Sequence, residues 1–180
     1  MSAVANAAQP APALRDAQGL ARKYLTFVLG NSEYGVPVQK VREIIKAMEI
    51  TSVPQVASYV KGVINLRGKV IPVADLRLKF GLAHAEYTDR TCIIVVEMAA
   101  QRSTVALVGV VVDSVSDVVS ITADEIEEAP EVGEHNGSGC VEALAKVKGT
   151  VKIIVNLDRL FGSAVTELAA AVPVAVGVRG

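Results

Sequence analysis

The sequence predicts an all-β protein of two related lobes, each of about five short strands closed into a barrel, packed together with short connecting helices. Three observations predict it. Apolar residues recur at strand spacing, with runs such as TCIIVV from Thr91 and VALVGVVV from Val105 apolar on both faces. Two dipeptides, Arg67-Gly68 and Lys148-Gly149, each separate a pair of apolar runs as a hairpin turn does. The third is an internal duplication. Gly68 to Gly81 (GKVIPVADLRLKFG) aligns without gaps on Gly149 to Gly162 (GTVKIIVNLDRLFG), and Gly35-Val36-Pro37-Val38 with Val41, Glu43, Ile44 and Ile45 aligns on Gly109-Val110-Val111-Val112 with Val115, Asp117, Val118 and Val119. Each unit reads strand pair, connector, hairpin, short helix over about 60 to 75 residues, and so short a unit closes most easily as a barrel, which removes its edges.

Residues 1–22, rich in Ala, Gln and Pro without a period, are expected to be a disordered tail. The first lobe spans 23–88. Leu25, Phe27 and Leu29 alternate with Tyr24, Thr26 and Val28, and Gly30-Asn31-Ser32 turns into a second strand near Tyr34 to Val38. Val41, Ile44 and Ile45 then stand at helical spacing, which predicts a short helix from Gln39 that ends near Lys46. After Pro54 comes the hairpin Val63 to Val73, then a helix with Asp75 as N-cap, Leu76 and Phe80 on one face, Lys79 at the C-terminus and Gly81 beyond it. The second lobe spans 89–162: strands over Thr91 to Glu97 and Thr104 to Val112, an alternating stretch from Asp113 to Ile121, and a helix start with Thr122 as cap and Glu125 three residues on. A Gly-rich loop from Pro130, a hairpin from Val141 to Val155 and an Asn156-capped turn complete it, and 163–180 is expected to be a frayed Ala/Val-rich tail. These boundaries are sequence units, and strand exchange between lobes is compatible with them.

Composition excludes several functions. With 18 basic and 19 acidic residues interspersed and a net charge of -1, nothing attracts nucleic acid or an anionic membrane surface. Two cysteines make no disulfide framework and no secretory signal opens the chain, which fits a cytoplasmic protein. Hydrophobic residues reach 51% and mean hydropathy +0.41, yet no stretch approaches the roughly 18 to 20 apolar residues of a membrane helix, so no direct membrane insertion is expected. The excess apolar surface must be covered by the lobes themselves or by protein partners.

Catalytic chemistry finds no support. His84 and His135 lack metal-ligand spacing and read as solvated loop residues. Cys92 sits in an apolar strand, and Cys140 has no base nearby in sequence. The glycines at 133, 137 and 139 form no phosphate loop, and Asp124, Glu125, Glu127, Glu128 and Glu131 lack the order of a calcium loop. No catalytic residue, metal or cofactor is expected, and the chain reads as a non-enzyme. Arg67 alone invites more: at a rigid turn tip its guanidinium can fork onto a carboxylate or helix-end carbonyls of a partner, although a solvated turn arginine would look the same.

These residues also form a pattern. Tyr34-Gly35-Val36 with Val41-Arg42-Glu43-Ile44, the run from Val60 through Lys61-Gly62-Val63-Ile64-Asn65-Leu66-Arg67-Gly68, Ile71-Pro72-Val73 with Asp75-Leu76-Arg77, and Val111-Val112-Asp113 with Val115-Ser116-Asp117-Val118 closely resemble the CheW-like chemotaxis coupling proteins, over about Tyr24 to Gly162. The resemblance implies two SH3-like five-stranded barrels and a non-enzymatic adaptor. Its implied partners are the signalling tips of chemoreceptors (methyl-accepting chemotaxis proteins), the regulatory domain of the chemotaxis histidine kinase, and copies of itself in array rings. The implied location is the cytoplasm, with recruitment to membrane-bound receptor arrays. A groove between the barrels would take the receptor tip at Val41, Glu43, Arg67, Cys92 and Ile93. Kinase contacts would use Val38, Ile44 and Gly62 on one lobe and Glu131 and Val132 on the other, where Val132 departs from the aromatic of some relatives. The competing reading is a small-ligand-binding double barrel, or a general interaction module outside motility. Where the duplication fails, Lys148 stands for Arg67 and Ile153 for Pro72, so the shared residues are expected to build the barrels and the unshared ones to meet the receptor.

Overall fold

A computed structural model describes residues 21–99, 105–128 and 140–161. The tail expected over 163–180, nearly all of that expected over 1–22, and the 130–139 loop with His135, Glu131 and Val132 lie outside the described residues. The chain runs β1 (Arg22–Leu29), β2 (Ser32–Pro37), β3 (Val41–Lys46), β4 (Val60–Leu66), β5 (Lys69–Asp75), α1 (Leu76–Lys79), β6 (Cys92–Ala99), β7 (Val105–Val112), β8 (Ser114–Ile121), β9 (Ile126–Glu128), β10 (Val141–Val147), β11 (Thr150–Val155) and α2 (Leu157–Phe161). Single 3-10 turns, Val38–Lys40 and Ala123–Glu125, precede β3 and β9.

Local chemistry accounts for most of these elements. Asp75 caps α1 by accepting the Arg77 amide at 2.9 Å, and Asn156 caps α2 by accepting the Arg159 amide at 3.0 Å. Both hairpins turn through two residues of positive φ: Arg67 and Gly68 at 53° and 86°, Lys148 and Gly149 at 50° and 81°. That is the backbone of a type I′ turn, whose twist matches the flanking strands. The Glu125 carboxylate accepts the Thr122 amide at 3.0 Å, as the capping pattern predicts, though it caps a single 3-10 turn.

One local expectation is overturned: residues 41–46 form a strand, and only Val38–Lys40 turns helically. Val41, Ile44 and Ile45 fit a helical period, whereas in the strand only Val41 and Ile45 share a face and Ile44 turns outward. The observed pattern leaves Arg42, Ile44 and Lys46 exposed and Val41, Glu43 and Ile45 partly buried. β6 decides the matter, because its backbone takes the β3 ladder from Val41 opposite Val96 to Lys46 opposite Cys92.

The strands form two sheets, ordered β8-β1-β2-β11-β10-β9 and β3-β6-β7-β5-β4. The first holds six strands rather than five, because β9 adds three residues beside β10. Its end strands β8 and β9 are joined by one 3-10 turn, so the sheet returns on itself as an SH3-like barrel. Sheet membership does not follow the 23–88 and 89–162 units. β1 and β2 join strands of the second repeat, and β6 and β7 join those of the first, so each repeat gives its leading strand pair to the other barrel.

Both exchanges use the same register. Parallel pairing sets Gly35 opposite Ile154 in one barrel and Gly109 opposite Val73 in the other, and these are aligned positions of the duplication. Each glycine makes room for a side chain: an added Cβ would lie 3.0 Å from Ile154 Cδ1 at Gly35, and 2.8 Å from Ile93 Cγ2 at Gly109. Apolar packing falls into three clusters. Tyr24, Ile121, Ala143 and Ile154 fill the six-stranded barrel, and Ile64, Ile71, Val73, Ile93 and Val95 fill the five-stranded one. The largest cluster, with Phe27, Val36, Leu76, Ile94, Val110 and Phe161, lies between the barrels. The two-sided apolar strands of the sequence are thus explained by one face turned into a barrel and one toward the other barrel.

Candidate partner-binding site

The sheet order puts β3 and β4 at opposite edges of the five-stranded barrel. Across the seam between them, Arg67 Nη1 at the β4–β5 turn meets Glu43 Oε1 on β3 at 2.6 Å. Asn65 Oδ1 accepts the Gly68 amide at 2.9 Å and stiffens the tip that carries the arginine. Farther along the seam Thr51 pairs with Val63. The Arg67 side chain is 75% exposed and that of Glu43 23%, so the ion pair adds little stability and leaves guanidinium donors free for a partner. At the aligned corner of the other barrel Lys148 has the same backbone, but among the described residues no ion pair joins it to Asp117, whose carboxylate instead accepts the Val118 amide.

The other expected receptor positions separate into surface and interior. Val41 and Cys92 are partly buried against the inter-barrel cluster, Cys92 with its thiol donating to the Arg90 carbonyl at 3.2 Å. Ile93 is 0% exposed inside the five-stranded barrel, opposite Ile45, so it has no surface to offer and acts as packing beneath β3. Of the expected kinase positions, Ile44 is exposed on the outer face of β3 and Val38 half-buried in the turn before it. Gly62 is buried: with φ 139° it passes beneath Thr51, whose carbonyl oxygen would lie 1.9 Å from an added Cβ. Its role is to let the 51–52 segment cross β4.

Sequence reasoning missed a set of ion pairs around the barrel junction. Arg42 is the extra residue of a bulge between Val41 and Glu43, and its guanidinium meets Glu97 at 2.9 Å. Arg77 pairs with Asp113 at 2.6 Å and Lys40 with Asp158 at 2.7 Å. Such pairs are far apart in the chain, and the only signal in the sequence is that the charged members flank the aligned hairpins and helices. Between the barrels opens a cleft of about 570 Å3, with Val36, Met98, Val105 and Leu157 on its apolar surface and Glu97, Lys40 and Asp158 among its charged lining. Among the described residues, no group of three or more His, Cys, Asp or Glu is placed to hold a metal, and no helix is long and apolar enough to cross a membrane.

Two fused barrels that present an apolar cleft, an exposed isoleucine and a seam arginine define an interaction module. Comparison with known proteins specifies which. Residues 23–165 match the family model described as the CheW-like domain. The chain is 37% identical to the chemotaxis protein CheW of Klebsiella aerogenes over 79% of this chain and 82% of that protein, and 37% identical to that of Bacillus subtilis over 76% and 84%. It is 32% identical to the protein FrzA of Myxococcus xanthus over 63% and 68%. Among solved structures, the scaffolding protein TtCheW from Thermoanaerobacter tengcongensis superposes with a TM-score of 0.71 at 34% identity, covering 79% of this chain and 94% of that one. The chain belongs to the CheW-like family. It is a chemotaxis scaffold of the adaptor kind and not an enzyme.

Proposed function

We propose that this scaffold couples the cytoplasmic tips of chemoreceptors to the regulatory domain of the chemotaxis histidine kinase, and so is held at membrane-bound receptor arrays. The observation that carries the reading is the Arg67–Glu43 pair, present at one of two otherwise equivalent hairpin tips. A feature required by the barrel would recur with the barrel; this one does not. With Val41 on β3 and Cys92 on the adjacent β6, it is proposed to offer a helical tip apolar anchors and a charge that sets register. Ile44 and Val38, with Gly62 shaping the 51–52 segment, are the proposed kinase-facing positions of this barrel, and Glu131 and Val132 are their proposed counterpart on the other. Copies of the chain are proposed as further ring partners. Coupling then requires unequal contacts with the two receptor states, so that binding energy rather than chemistry transmits the signal.

The test is co-sedimentation with receptor signalling tips and the kinase at micromolar concentrations, in which both are expected to be retained; retention of neither would overturn the reading. Arg67→Glu places two carboxylates at the seam and is expected to weaken receptor binding about tenfold while stability changes by less than about 1 kcal/mol. Unchanged receptor binding would remove Arg67 from the site. The cleft is large enough for a small ligand, but most of its charged residues already have protein partners: Lys40 and Asp158 pair with each other, Glu97 with Arg42 outside the lining, and Glu142 accepts from the Asn156 side-chain amide. Polar groups engaged in this way leave few free to converge on a small ligand.

A further inference from the structure

Two ion-paired clasps stand where the chain crosses from barrel to barrel, and they carry reversed charges. Arg77 is the second residue of α1, and Asp158 is the second residue of α2 at the aligned position. Arg77 Nη1 meets Asp113 Oδ2 at 2.6 Å in the crossing between β7 and β8. The same carboxylate oxygen accepts the Gly30 amide at 2.8 Å, the Asp113 amide donates to the Val28 carbonyl at 3.0 Å, and Arg77 Nε donates to the Ala83 carbonyl at 3.0 Å. On the other side Asp158 Oδ2 accepts from Lys40 Nζ at 2.7 Å in the crossing between β2 and β3, and its Oδ1 accepts the Ala99 amide at 2.8 Å. Each clasp therefore ties the helix that follows one barrel's hairpin to the crossing chain and to a strand or turn of the other barrel.

The clasps are unequal in strength. Arg77 is 19% exposed and held through two of its nitrogens, whereas Lys40 is 42% exposed and offers one point charge. Around the Arg77 clasp the junction is filled, with Phe80 stacked on Tyr34 at 5.2 Å and Tyr34 on Phe27 at 5.9 Å. Around the Lys40 clasp lies the 570 Å3 cleft, with Lys40, Asp158 and Ala99 among its lining residues.

We infer that Lys40 and Asp158 form a latch that sets the width of the inter-barrel cleft, and that the Arg77–Asp113 side is the post about which the barrels open. Lys40 and Asp158 are positioning residues: breaking their pair frees α2 from the β2–β3 crossing and lets Ala99 move off Asp158, while each barrel keeps its own ladder. The inference depends on the adaptor reading only for what enters the cleft, since the latch is measured in the free protein.

The experiment is amide hydrogen exchange on the full chain, with residual dipolar couplings to report the relative orientation of the two sheets. In Lys40→Met the Ala99 amide is expected to exchange about tenfold faster and the sheets to reorient, while Gly30 and the ladder amides of Ile94 and Ile154 keep their rates; Lys40→Arg is expected to restore Ala99 protection. Raising ionic strength from about 0.05 M to about 1 M on the unaltered chain is expected to speed Ala99 selectively, because the pair is partly exposed and therefore screened. An unchanged Ala99, or Ala99 rising only in step with Gly30 and the ladder amides, would overturn the latch. Should Lys40→Met fail to fold, the salt series decides alone. Because no partner enters the readout, a failed latch leaves the adaptor reading standing, and failed co-sedimentation leaves the latch standing.

Discussion

Arg67 and Lys148 share a corner of the duplicated hairpin and nearly the same φ, 53° and 50°, so the left-handed backbone at Arg67 belongs to the turn and not to a binding role. What distinguishes Arg67 is the carboxylate across the seam. Gly62 shows the converse: a position expected to meet a partner whose requirement lies inside the barrel. Gly62→Ala would both force a non-glycine into φ 139° and push the Thr51 carbonyl away, at a cost of about 2 kcal/mol or more. Denaturant unfolding of that variant checks it, and a loss below about 0.5 kcal/mol would mean that the 51–52 segment moves aside freely. Ile93 belongs with Gly62, because truncating it to alanine should cost about 2 to 5 kcal/mol of stability, so any loss of binding in that variant has to be read against its fraction folded.

Among strands, the two parallel pairings that join the repeats differ in one layer. In the six-stranded barrel Glu33 lies opposite Lys152, and the two form an ion pair with Lys152 9% exposed. The aligned positions of the other barrel, Leu107 and Ile71, belong to its apolar core. A low-exposure ion pair gives back much of its attraction as desolvation cost, so an apolar replacement of the same shape is close to neutral. Glu33→Leu with Lys152→Ile is therefore expected to fold and to lie within about 1 kcal/mol of the parent or above it. Glu33→Leu alone strands the lysine and should cost on the order of 2 kcal/mol, less than for a fully enclosed pair because Glu33 keeps a third of its exposure. A double-mutant cycle in thermal unfolding separates these outcomes; a double variant less stable than the single one would refute the account.

For the molecule as a whole, exchange of the leading strand pairs makes each sequence repeat an incomplete barrel. A fragment ending near residue 90 holds β1 and β2 but neither β8 nor β11, the strands that flank that pair in its sheet. Neither half is expected to fold as a monomer, and mixing the halves is expected to restore β-sheet circular dichroism; an independently folded half would contradict the topology. Alkaline pH is the other whole-molecule lever. Burial raises Tyr24, Tyr34 and Cys140 above their ordinary values, and burial together with the charge of Asp75 pushes Tyr87 up to about 12 from 10.0. The unfolded chain then loses these protons first, so their contribution is whole at neutral pH, begins to fall above the unfolded values of 9.0 for Cys and 10.0 for Tyr, and continues to fall toward pH 12. Denaturation midpoints should stay level from pH 7 to about 9 and then drop, and Tyr87→Phe should soften the drop.

By itself the sequence determined most of the strands, the two hairpin turns, the Asp75 and Asn156 caps, the duplication and the family, because each is written in neighbouring residues or in a motif that repeats. It misread 41–46, where the apolar spacing suits a helix and pairing with β6 imposes a strand that leaves Ile44 exposed. It paired no charges, and it placed Ile93 and Gly62 among contacts when their environments are interior. Only the tertiary structure decided which barrel each strand pair enters, that Arg67 reaches Glu43, and that one barrel junction is filled while the other stays open as a cleft. The physical reason is common to all three. Local chemistry sets backbone direction, whereas partners distant in sequence are chosen by which apolar faces can be buried together, and that choice is made once, by the whole chain.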